Sequence, residues 1–286
     1  GKDPFIVCDD ADLDQAAHAA MAGCFISAGQ NCVASERLLV FDAVYDAFEA
    51  KVQDLVRQMK QGAASQGELV DIGAMVTPMQ LSIVEELVDD AIGKGARVVS
   101  GGRRVMSERG DYFAPTILAD VTPDMRIMNE ETFGPVMALC RVPDEHHAIE
   151  LANGNGFGLS ASVFSRNQAR ARRIANRVQS GMVAINEFGG MTYMAQDLTF
   201  GGIKQSGFGR LNGRDGLRAC CNVKAVLTDR VPGLHFANKL FPVVSGDFEK
   251  IKSAVELVYR PGVRGKVRGL VGLAKSVIKS AGEDRT

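Results

Sequence analysis

Three short stretches carry residue types that could do chemistry. In "SAGQNCVASERLL" (27–39), Cys32 follows Gly29, Gln30 and Asn31 where the chain leaves a helix. A cysteine reacts as thiolate, a form favoured beside backbone N–H donors or positive charge and disfavoured in an apolar core. Gly29 permits backbone conformations denied to other residues, and Gln30 and Asn31 are polar where a continuing core helix wants apolar side chains. On residue type alone Cys32 is either a small core hydrophobe, the usual fate of a lone cysteine, or a nucleophile.

In "NEETFGPVM" (129–137), Glu130 and Glu131 precede Phe133, Gly134 and Pro135. Two carboxylates, an aromatic ring and a Gly-Pro bend suit a loop that accepts ribose hydroxyls and stacks a flat ring. The plainer alternative, favoured by residue types alone, is a solvated acidic turn before a strand. "FGGIKQSGFGR" (200–210) sets Lys204 and Arg210 among glycines, as an anion cradle or as a loop crossing close to other backbone. The nearest match to a dinucleotide fingerprint, Gly156, Gly158 and Ala161 in "GFGLSA", follows a helix and opens a strand, the wrong context.

The chain has 286 residues with 46% hydrophobic content, enough to bury a core in one large or two smaller domains. A formal net charge of -1 supplies no general basic field, so nucleic acid is not an expected partner. A small or weakly charged ligand is. Cysteines 8, 24, 32, 140, 220 and 221 include no C-x-x-C pair, which points to reduced thiols in the cytoplasm or another reducing compartment. Adjacent Cys220 and Cys221 are no metal clip. His18 and His235 are isolated and His146 and His147 adjacent, so no metal site is expected. No apolar run approaches the roughly 20 residues of a spanning helix. The strand-like opening from Gly1 leads to the expectation of a native start upstream.

These stretches need a scaffold, and the pattern supplies one. "PFIVCD" (4–9) reads as a strand, Asp12 as an N-cap with Gln15 at capping-box spacing, and Leu13, Ala16, Ala20, Met21 and Cys24 as one buried helix face. Strands follow at 37–42, 96–102, 114–118, 136–142, 159–165 and 181–187, with helices at 43–60, 78–95, 144–153 and 167–178. Strands without strict polar alternation, interleaved with helices, predict an α/β fold: a mostly parallel, doubly wound sheet with helices on both faces. From residue 231 a C-terminal helical tail is expected. There Val267, Leu270, Val271, Ala274, Val277 and Ile278 share a face bordered by Arg264, Lys266, Arg268, Lys275 and Lys279. Such a helix either docks on its own protein, the reading preferred because Gly265, Gly269 and Gly272 weaken the helix, or lies on an anionic membrane surface or a partner.

Taken together, "GK" (1–2), "FISAGQNC" (25–32), "EETFGP" (130–135), "NGNGFGLSASVFS", "VAIN" and "FGGIKQSGFGR" resemble, in order, the signatures of the aldehyde dehydrogenase superfamily. The resemblance runs from residue 1 to about 228, and the "NGRDGLRACCNVKAV" ending with the long tail is similar to a divergent plant branch, family 22. It implies NAD- or NADP-dependent oxidation of a small-molecule aldehyde to a carboxylic acid. Cys32 would be the nucleophile, passing through a thiohemiacetal held by its own N–H and an asparagine side chain, then a thioester. Glu131 would bind the nicotinamide ribose and Phe133 would pack on that end of the cofactor.

The resemblance further implies a catalytic domain over 1–230 and an extension over 231–286. The N-terminal cofactor-binding domain, the oxyanion asparagine and the glutamate of the family's E-L-G-G-K motif would belong to an upstream segment or second chain. The chain alone is therefore expected to be inactive. "NVKAVLTD" (222–229) could pair between copies in a homo-oligomer, although the tail exceeds the usual oligomerisation strand. Two alternatives stand beside this: release of the thioester to a thiol such as coenzyme A, and a noncatalytic scaffold that keeps the fold and binds through its basic tail.

Overall fold

The computed structural model describes residues 1–63, 69–107, 110–228 and 246–283. Asp229 and His235 lie outside these, as do the side chains of Val277 and Lys279. The described chain divides into two units, 1–223 and 224–286, a boundary earlier than the 230/231 expected.

The first unit opens with β1 (Asp3–Val7), α1 (Leu13–Phe25), β2 (Ser35–Phe41), α2 (Tyr45–Arg57) and α3 (Pro78–Gly93). It continues through β3 (Arg97–Ser100), β4 (Arg104–Val105), β5 (Tyr112–Phe113), β6 (Thr116–Ala119), β7 (Val136–Val142) and α4 (Glu145–Asn153). β8 (Ser162–Phe164), α5 (Gln168–Ala175), β9 (Ala184–Ile185) and α6 (Gly213–Ala219) complete it. Seven strands form one sheet in the order β3-β6-β7-β2-β1-β8-β9, all parallel except β3 against β6. Every residue of β1 and β2 is buried, as the non-alternating sequence requires of strands covered on both faces. The short hairpin of β4 with β5 and the helix α6 were not expected.

Caps fix where the helices start. Asp12 accepts the amide N–H of Asp14 and Gln15, Thr77 that of Gln80, Asp144 that of His147, and Asn167 those of Ala169 and Arg170. Gln15 does not complete the capping box, because its side chain donates instead to the Asn186 carbonyl at 2.9 Å. Glu36 and Arg37 alternate across β2, as successive strand residues must. Arg37 donates to the Lys2, Leu151 and Ala152 carbonyls at 2.9, 2.6 and 2.9 Å, tying β2 to the residue that enters β1 and to the end of α4. Cys24 is core as expected, its thiol donating to the Ser35 carbonyl.

In the second unit α7 (Asp247–Tyr259) packs on α8 (Val263–Glu283). Within this unit α8 meets α7 by its glycine side and not by its apolar face. A Cβ on Gly269 would stand 2.5 Å from the Leu257 nitrogen, and one on Gly272 2.6 Å from Ser253 Oγ. The glycines let the two backbones approach closely, and Val267, Leu270 and Val271 stay exposed. Residues 222–228, expected as a pairing strand, are exposed and carry no regular structure. Among the described residues no helix is long and apolar enough to cross a membrane.

Candidate active site

The opening residues, the Cys32 turn and the 131–135 loop meet at the amino-terminal ends of parallel strands. Lys2 enters β1, the Cys32 turn enters β2, and the 131–135 loop enters β7. After α1 the chain passes through Ser27, Ala28 and Gly29 with φ of 56°, 57° and 69°, a reversal that throws Cys32 out of the core. Gly29 cannot be replaced without strain: beyond its positive φ, a Cβ there would lie 2.1 Å from the Gly134 carbonyl oxygen. The cysteine motif and the acidic motif thus pack backbone to backbone. Gln30 holds the other side, accepting the Val76 amide N–H at 2.8 Å.

Cys32 is exposed in a turn where Asn31 Oδ1 accepts the Val33 amide N–H at 3.0 Å. Among the described residues its own amide N–H has no partner. Gly1 links it to the loop. A Cβ on Gly1 would meet the Cys32 carbonyl oxygen at 2.3 Å, and the Gly1 nitrogen contacts Glu131 Oε1.

The two acidic residues part company. Glu130 turns outward into a bidentate pair with Arg126, at 2.7 and 2.9 Å, which holds its carboxyl below the usual range. Glu131 is half-buried and faces Gly1. Phe133 is half-buried, with φ 49°.

What holds this loop was not foreseen. Glu36 accepts the amide N–H of Thr132 at 2.9 Å and of Phe133 at 2.9 Å, and Lys2 Nζ donates to Glu36 Oε2 at 2.7 Å and to Thr132 Oγ1 at 2.8 Å. Lys2 and Glu36 are buried, and burial pushes the Lys2 amine below its usual range despite the adjacent carboxylate. A signal existed in the sequence: a carboxylate inside the strand "SERLLVF" needs a buried partner. Nearby, burial raises the Asp3 carboxyl to about 7 although Ser160 donates to it.

The glycine-rich stretch 200–210 is a crossing and not an anion cradle. Lys204 Nζ donates to the Asn153 and Asn155 carbonyls at 2.9 and 3.1 Å, and Arg210 to the Gly202 carbonyl at 2.7 Å, so backbone oxygens take up both cations. Gly156, Gly158 and Ala161 lie between α4 and β8 and receive this crossing: the Gly156 and Gly158 carbonyls accept the Gln205 and Ile203 amides. The 187–190 segment borders the cysteine turn, since a Cβ on Gly190 would touch Val33 at 3.0 Å.

An exposed thiol with an open amide N–H, on a turn packed against the loop that carries Glu131 and Phe133, can act as a nucleophile beside a loop that offers a hydrogen-bond-accepting carboxylate and a partly exposed aromatic residue. Residues 1–226 match the model of the aldehyde dehydrogenase family, and the chain belongs to that family. It is 43% identical over 238 residues to a putative aldehyde dehydrogenase-like protein of Schizosaccharomyces pombe, covering 82% of this chain and 45% of that protein. It is 42% identical over 226 residues to a succinate-semialdehyde dehydrogenase [NADP(+)] of Deinococcus radiodurans, covering 79% and 46%. A solved NAD-dependent aldehyde dehydrogenase from Sinorhizobium meliloti superposes with a TM-score of 0.72 at 40% identity, over 76% of this chain and 42% of that one. The chain therefore spans less than half the length of these relatives. None of these matches bears on the plant branch.

Proposed function

We propose that the chain is the catalytic portion of an NAD- or NADP-dependent aldehyde dehydrogenase. The observation that carries this is the packing of Gly29 on Gly134, which sets the exposed Cys32 turn beside the Glu131–Phe133 loop. Cys32, as thiolate, adds to the aldehyde carbon. A C–S bond forms, the carbonyl π pair moves to oxygen, and the Cys32 amide N–H donates to that oxyanion. Glu131 accepts hydrogen bonds from the nicotinamide ribose, and Phe133 offers its ring to the same end of the cofactor. The chemistry that NAD or NADP supplies when bound is acceptance of the hydride from the former carbonyl carbon. Cys32 then carries the acyl group as a thioester, and attack by water releases the carboxylate and returns the thiol.

The greater length of the relatives supports assigning the dinucleotide-binding domain, the general base and the asparagine of the oxyanion site to an upstream domain or chain. The exposed 222–228 segment supports pairing between copies in a homo-oligomer. Dependence on a free thiol supports the cytoplasm or another reducing compartment. The test is reduced-cofactor formation by this chain joined to its upstream segment, with an aldehyde as substrate. Cys32→Ser is expected to lose at least about a thousandfold in rate, and the chain alone to show no sustained turnover. A Cys32→Ser variant as fast as the parent overturns the proposal.

A further inference from the structure

The family match ends at residue 226, so the α7–α8 hairpin lies outside it. A helix turns by about 100° per residue, which places Gly265, Gly269 and Gly272 on the side of α8 opposite Val267, Leu270 and Val271. The glycine side is spent on α7. The apolar stripe points away, with Val267 52%, Leu270 56% and Val271 48% exposed. Along one border of that stripe, at helical spacing, run the exposed cations Arg264, Arg268 and Lys275. From Leu257 to Gly282 the sequence has six lysines or arginines and no acidic residue.

We propose that this outward stripe of α8 seats the protein on an anionic phospholipid surface. Val267, Leu270 and Val271 enter the boundary between headgroups and acyl chains, while Arg264, Arg268 and Lys275 meet lipid phosphates and carboxylates. Charge selects this occupant over a second copy, because two such helices face to face would oppose cations to cations with no acid between them. α7 also exposes an apolar stripe, Phe248, Ile251, Val255, Val258 and Tyr259, but the charges beside it, Lys252 with Glu249 and Glu256, are mixed in sign, so charge favours the cation-bordered stripe of α8 for an anionic surface. Since no described helix is apolar enough to span a bilayer, the contact is interfacial. It is independent of the dehydrogenase reading.

The experiment is co-sedimentation of the full chain with phosphatidylcholine vesicles made with and without phosphatidylserine, at low and high salt. The chain is expected to sediment with phosphatidylserine vesicles and to be released by salt. Each cation near such a surface is worth about a fivefold gain in partitioning, so the triple variant Arg264→Gln, Arg268→Gln, Lys275→Gln should lose about 100-fold. The double variant Val267→Glu, Leu270→Glu should lose at least about tenfold, with far-UV circular dichroism unchanged because both sites are exposed. Equal binding to neutral vesicles, binding unaffected by either variant, or no sedimentation together with an oligomer that the double variant dissolves would each overturn the proposal.

Discussion

Lys2 Nζ lies 2.7 Å from Glu36 Oε2, both side chains shielded from water, and the same carboxylate takes the amide N–H groups of Thr132 and Phe133. The strand leaving the cysteine turn thereby holds the acidic loop by its backbone. Replacing Glu36 by Gln should keep the fold and loosen the loop. The expected outcome is a rise of about tenfold in KM for NAD or NADP with a smaller change in KM for the aldehyde. Glu36→Ala should also cost about 3 kcal/mol or more in urea denaturation, since it leaves Lys2 buried without its partner. Equal effects on both KM values would mean that the pair serves stability alone.

The thiols divide by environment. Burial pushes Cys8 up to about 12 and Cys140 to about 11, and raises Cys24 further, whereas Cys32, Cys220 and Cys221 are exposed. Peptide mapping after brief iodoacetamide treatment near neutral pH should find label on the exposed three, and on Cys8, Cys24 and Cys140 only in denaturant. Label on Cys24 in the native state would contradict the packing of α1 on β2.

Asp3 makes stability fall with pH. Its carboxyl titrates near 7 when folded and near 3.8 when unfolded, so between those values the folded state binds the extra proton and raising the pH favours unfolding. The contribution is flat below about 4 and fully lost above about 7. Asp3→Asn removes the titration while keeping a polar group near Ser160. Denaturation midpoints of parent and variant should agree at the acid end of that window and separate in the variant's favour toward neutral pH. A constant gap would contradict the assignment.

Gly29 and Gly95 test the backbone contact. Both have positive φ, 69° and 102°, but a Cβ on Gly95 meets nothing within 4 Å, while one on Gly29 would strike the Gly134 carbonyl. Gly95→Ala should cost about 1 kcal/mol, the left-handed penalty alone. Gly29→Ala should cost about 3 kcal/mol or displace the turn, read as a shift in denaturation midpoint and in the alkylation rate of Cys32. Equal costs would mean that the two motifs do not touch.

Much of this was legible in one dimension. Asp12 announces its helix by residue type, and β2 and β7 read as strands from their apolar runs, because caps and burial act locally. The roles proposed for Cys32, Glu131 and Phe133 rest on the family motifs, since residue type alone left a core thiol and a solvated turn standing. The Lys2–Glu36–Thr132 cluster joins residues 34 and 130 positions apart, a relationship that no local window contains. In α8 the glycines read as weak points of an isolated helix. Their use appears only once α7 lies against them, and that contact reverses which face is buried. The two-residue strands β4 and β5 and the seven-residue α6 are too short to show a period.

The most direct measurement is a chemical quench. The chain joined to its upstream segment is mixed with aldehyde and NAD or NADP, stopped in acid during turnover, and mapped by mass spectrometry. An acyl group on the peptide holding Cys32, lost in Cys32→Ser, is the predicted result. Turnover with no acylated Cys32, or with the acyl group on Cys220 or Cys221, would contradict the account.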